Sequence, residues 1–124
     1  MDMDSILTST KKLLGIAQDY EHFDADIIMH INSVFMILTQ MGIGPSKGFR
    51  INDKASKWSE FTSDDITLEA VKSYMHLKVK LLFDPPANSS ITNAMNNMIS
   101  ELEWRLYVAA EPNACSREEE NQNG

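Results

Sequence analysis

VKSYMHLKVKLLFDPP, residues 71–86, followed by a second helical pattern that reaches ELEWRL at 101–106, is the stretch that decides the fold. At about 100° per residue, Leu68, Val71, Met75, Val79 and Leu82 fall on one narrow line. Ala70, Tyr74, Leu77 and Leu81 make a second apolar line on the opposite side. Lys72, His76 and Lys80 run between the two. A helix that is apolar on two sides must bury both. It is sandwiched between two helices of its own domain, or one side meets another chain.

Asp84-Pro85-Pro86 stops this helix. Pro85 drives Asp84 out of the α region, and neither proline has an amide hydrogen for a continuing ladder. Ser89 or Ser90 then offers a capping hydroxyl for the next helix, over 90–110. So short a connection makes the two helices antiparallel neighbours. In the second helix Ile91, Met95, Met98, Leu102, Leu106 and Ala109 form one stripe. Trp104 sits nearly opposite, with Tyr107 and Val108 to either side. Large aromatics off the stripe either cover a neighbouring helix or anchor an interface. Tyr74, Leu77, Leu81, Trp104 and Tyr107 are therefore the candidate contact residues for another subunit or partner.

Upstream, Ser5 can cap a short helix through Leu14, with Gly15 as its stop. Asp24 is the expected N-cap of a helix over 25–41. There Ile27, Ile31, Val34, Leu38 and Met41 form a stripe, widened almost to a full circle by Ile28, Met29, Phe35, Met36 and Ile37. A helix this apolar belongs at the centre of a bundle. Residues 43–65 are irregular. Alternation in GFRIND and KWSEF permits a short hairpin, while Trp58 and Phe61 should pin this long loop to the bundle. Ser63-Asp64-Asp65 caps the next helix. Residues 43–62 should be the most mobile, together with the tail. The fold expected is all-α: a small bundle of about four helices in a domain spanning 1–110, with a polar, disordered tail over 111–124.

At 124 residues, 43% hydrophobic and 23% charged, the composition is that of one ordinary globular domain. The single cysteine, Cys115, allows no intramolecular disulfide, which suits a reducing compartment. The acidic N-terminus lacks the apolar core of a secretory signal, and no apolar run approaches the ~20 residues of a membrane span. The net charge of −7 argues against broad nucleic-acid binding, which needs a basic face. The charge is uneven: residues 47–80 carry seven basic against five acidic residues, and the tail from Glu111 one against four. One copy's acidic end could thus meet another's basic middle.

No catalytic pattern emerges. Gly44-Pro45-Ser46-Lys47-Gly48 has the wrong order for a phosphate loop and follows a helix. His22, Asp24 and Asp26 suit a helix start better than a metal shell. The three histidines are scattered, and Cys115 has only Arg117 near it in sequence. The residues point to a non-enzymatic interaction module with no cofactor and no metal.

The segments FDADIIMHINSVFMILTQMGIGPSKGF, KWSEF, VKSYMHLKVKLLFDPP and ELEWRLYVA cover most of 23–109. In these segments the chain resembles the small head-tail connector (adaptor) proteins of long-tailed bacteriophages and prophages. The FDPP turn followed one helix later by LEWRL is the most specific part. The resemblance implies a helical bundle that assembles as a homo-oligomeric ring of about a dozen copies below the portal protein. Such a ring extends the DNA channel, lets DNA pass without specific binding, and docks the next connector or tail-completion protein. The implied location is the capsid–tail junction of the virion, after assembly in the bacterial host cytoplasm, with no membrane partner. The alternative is a small helical partner-binding or regulatory protein of phage or host, acting as monomer or dimer.

Overall fold

The computed structural model describes residues 4–123, and side chains from Asp4 to Ala110. Five helices follow one another: α1 (Ile6–Leu13), α2 (Asp24–Met41), the single turn α3 (Trp58–Phe61), α4 (Asp65–Phe83) and α5 (Ser89–Asn123). Helix α4 is the axis of the bundle, packed against both α2 and α5, with α1 laid against α2 and α4. Both apolar lines of α4 are largely consumed inside the subunit, Leu82 at the end of the first being exposed. Val71, Met75 and Val79 are buried, and so are Tyr74 and Leu77 on the other side. The fold is the all-α bundle expected, with a fifth, one-turn helix added.

Ser5 caps α1 as expected, its hydroxyl accepting from the Thr8 amide at 3.2 Å and donating to the Lys54 carbonyl at 2.7 Å. Asp24 does not cap α2. It is the first residue of that helix, after Phe23, which gives no side-chain cap. A stronger partner explains the difference: Asp24 Oδ1 lies 2.8 Å from the Lys11 ammonium, which is 2% exposed. That oxygen is out of solvent without a hydrogen bond, so the lysine charge compensates it. Lys11 also donates to the Gln18 and Tyr20 carbonyls, at 3.0 and 2.7 Å. One buried cation therefore closes the α1–α2 connection.

The expected hairpin is absent: among the described residues there is no strand, only an isolated antiparallel bridge between Ser5 and Lys57. Its GFRIND half is held by a side chain instead. The Asn32 amide donates to the Ile51 carbonyl at 2.9 Å and accepts from the Ile51 amide at 2.8 Å. That satisfies the backbone as a paired strand would. The KWSEF half winds into α3, where Glu60 accepts from the Lys57 amide at 3.0 Å. Ile43, Ile51, Trp58 and Phe61 from this loop are buried in the main core. Phe35 meets Phe49, Trp58 and Phe61 at ring separations of 5.0, 6.0 and 4.9 Å, and Trp58 Nε1 donates to Ser9 Oγ at 2.9 Å. Burial on this scale argues against the mobility expected of 43–62.

At the FDPP turn Asp84 ends α4, its amide bonded to the Lys80 carbonyl at 2.9 Å. The cap of α5 is Asn88, not a serine: its Oδ1 accepts from the Ser90 amide at 2.8 Å and the Ile91 amide at 3.3 Å. An amide oxygen at this position reaches the first free amides without giving up a helical residue. The backbone of α5 carries on to Asn123. The domain boundary expected at 110/111 thus falls where the side chains lie outside the described residues. Of residues 1–4, expected to be loose, the first three also lie outside them, whereas Asp4 is tied down: its carbonyl accepts from the Trp58 amide and its Oδ2 from the Ser59 hydroxyl, both at 2.9 Å.

Candidate interaction surface

The five contact candidates divide by burial. Tyr74 is fully buried, its hydroxyl donating to Glu103 Oε2 on α5 at 2.9 Å. Burial, with the Glu103 carboxylate beside it, pushes the phenol well above its ordinary range. Leu77 is also buried, and Leu81 is half-buried against the core. Tyr74 and Leu77 thus hold α4 to its own subunit and offer nothing to a partner. Trp104 and Tyr107 differ, being 66% and 59% exposed.

The reason lies in the register of α5. Ile99, Leu106 and Ala110 face the core, with Met95 and Leu102 partly covered beside them. Trp104, Tyr107 and Val108 project from the other side at i, i+3 and i+4 and form one exposed apolar ridge. Next to it Arg105 and Glu101 pair at 2.6 Å, one turn apart. Both are exposed, so the pair adds little stability and serves as a polar border.

A second surface lies on α2. Ile27, Ile31, Val34 and Leu38 face inward, while Met29 and Met36, two turns apart, stand exposed on the opposite face. With Thr39 and the loop residues Lys47, Phe49 and Arg50 they line an open groove of about 750 Å³. The sequence pattern allotted both methionines to the core. The missed signal was their spacing of seven, directly opposite the inward stripe.

Among the described residues no group of three or more His, Cys, Asp or Glu is placed to hold a metal ion. No described helix is long and apolar enough to cross a membrane. His76, in the polar line of α4, is half-buried and bonded to the backbone of Leu13. Lys72 lies over the Trp58 ring at 5.8 Å and Lys80 pairs with Asp84 at 2.7 Å. The polar line of α4 is therefore engaged with the subunit's own elements. Among the surfaces the described residues offer are an apolar ridge on α5 and a groove on α2, with Ile66, Leu82, Ile91 and Met98 exposed elsewhere.

A family model described as phage connector protein matches residues 6–113. No curated protein and no solved structure matches the chain.

Proposed function

The chain belongs to the phage connector protein family, and on that premise we propose that it is a structural adaptor between capsid and tail, working as a closed ring of identical subunits beneath the portal. The observation that carries this reading is the ridge of Trp104, Tyr107 and Val108, exposed on a helix whose other side completes the core. Two large aromatics in water on one small subunit are expected of a protein that works assembled. A ring requires a head-to-tail contact, in which one copy's surface meets a different surface of the next. A ridge on α5 and a groove on α2 supply two such surfaces.

The net charge of −7 fits the same role. A channel that DNA must traverse gains nothing from gripping phosphates, and an acidic subunit supplies few cations to do so. The adaptor's work in this reading is mechanical: it extends the channel and presents a docking face to the next connector or tail-completion protein. The product is a virion component assembled in the host cytoplasm.

The test combines the purified protein with portal rings and measures mass by light scattering and shape by electron microscopy. Expected is a ring of adaptor subunits seated on the portal. Phage lacking the gene should accumulate heads without tails. A protein that stays monomeric or dimeric beside the portal, with tailed particles still forming in its absence, would overturn the proposal.

A further inference from the structure

Resting on the ring reading above, we infer that the ridge of α5 on one copy seats in the α2 groove of the next. The occupant of the groove is thus a second copy of this chain. Four observations converge on this pairing. Trp104, Tyr107 and Val108 have the i, i+3, i+4 spacing by which a helix presents anchors to a groove. Met29, Met36 and Phe49 are the large apolar side chains of a groove otherwise lined by polar groups such as Ser33 and Gln40, and thioethers adapt well to aromatic rings.

Charge is complementary as well. Lys47 and Arg50 stand at the loop side of the groove, whereas α5 from Glu111 onward carries four acidic residues against one basic. Seating the ridge with that acidic end toward Lys47 and Arg50 brings opposite charges together at the rim, where they set orientation and encounter rate. Finally, α2 and α5 flank α4, and the two surfaces lie on the faces of these helices turned away from the core. A ridge that meets a different surface on the next copy makes a head-to-tail contact, and on the ring reading that contact repeats until the ring closes.

Cysteine cross-linking in full-length protein, on a Cys115→Ser background, tests the pairing. Met36→Cys and Tyr107→Cys are made singly with different tags and checked for wild-type-like melting. They are then mixed, with portal if the wild-type ring needs it, and oxidised. The expected result is a disulfide between differently tagged copies in the mixture, little in either variant alone, and a ladder of multimers when one chain carries both substitutions. The charge arm is Lys47→Glu with Arg50→Glu, expected to weaken association tenfold or more while the melting temperature holds.

The outcomes separate the two readings. A wild-type ring with no Met36-to-Tyr107 link overturns the pairing and leaves the adaptor role standing. Efficient linking of Tyr107→Cys to itself also overturns it, in favour of ridge-on-ridge packing. Wild-type protein that never assembles, with or without portal, overturns both.

Discussion

Lys11 is the buried cation of the α1–α2 connection. Its ammonium, 2% exposed, serves the Asp24 carboxylate and two backbone carbonyls. Lys11→Ala would leave all three without their cation, and the expected loss is about 3 kcal/mol. Urea titration measures it. Adding Asp24→Asn should recover part of the loss, because the orphaned charge is then removed; no recovery would mean that the carboxylate is not what Lys11 compensates. His76 gives a second test at this scale. Burial holds its imidazole below the usual 6.5, and Lys80 pushes the same way against the opposing Leu13 hydrogen bond. The unfolded chain therefore takes up this proton first as pH falls. The contribution is intact above the unfolded value and is lost as pH drops from there toward the folded one. Between about pH 7 and pH 5, His76→Gln should flatten the fall in stability. An unchanged slope would show that the imidazole is solvated.

At the scale of elements, the connections carry the most specific demands. Gly44 has φ +83°, and a Cβ there would stand 2.6 Å from Phe61 Cζ. Gly44→Ala must strain the backbone and displace a core aromatic, so about 2 kcal/mol or more should be lost. A thermal melt within a degree of wild type would show that Phe61 yields freely. In the FDPP turn the weight falls on Asn88, whose Oδ1 receives two amides. Asn88→Ala should cost about 1 kcal/mol. Pro85→Ala should cost less, because Pro86 and the Asn88 cap still define the turn. Denaturant midpoints for the two variants check this order, and its reversal would move the stop signal to the proline.

For the whole molecule, the decisive contrast is between aromatics of like size and opposite burial. Tyr74 ties α4 to α5 inside the subunit and Trp104 faces outward. Tyr74→Ala should lose about 3–5 kcal/mol and assembly with it. Trp104→Ala should leave the melting temperature within about 2 °C while impairing ring formation or portal binding. Stability and assembly measured on the same two proteins decide the matter. A Trp104→Ala subunit that melts far below wild type would place that ring in the fold, and the ridge would lose its role.

The sequence by itself determined α1, α2, α4 and the start of α5, and their order, because period, caps and breakers act within a few residues; the one-turn α3 was not among them. Ser5, Asp64 and the FDPP turn stand where local rules put them. It also carried the likeness to connector proteins, since the FDPP and LEWRL segments are local patterns too. Which apolar side chains face water was decided only by the tertiary structure. The second stripe of α4 reads from the sequence like that of α5, yet Tyr74 and Leu77 are buried while Trp104 and Tyr107 are not. The difference is neighbours: α4 is packed by α1, α2 and α5, whereas α5 meets α4 and, more lightly, α2. The same holds for Asp24, drawn from its cap by a lysine in another helix, and for the 43–65 loop. There Asn32 on α2 replaces a strand partner that periodicity could not distinguish from a side chain. Local signals specify an element; its surroundings specify which face it keeps.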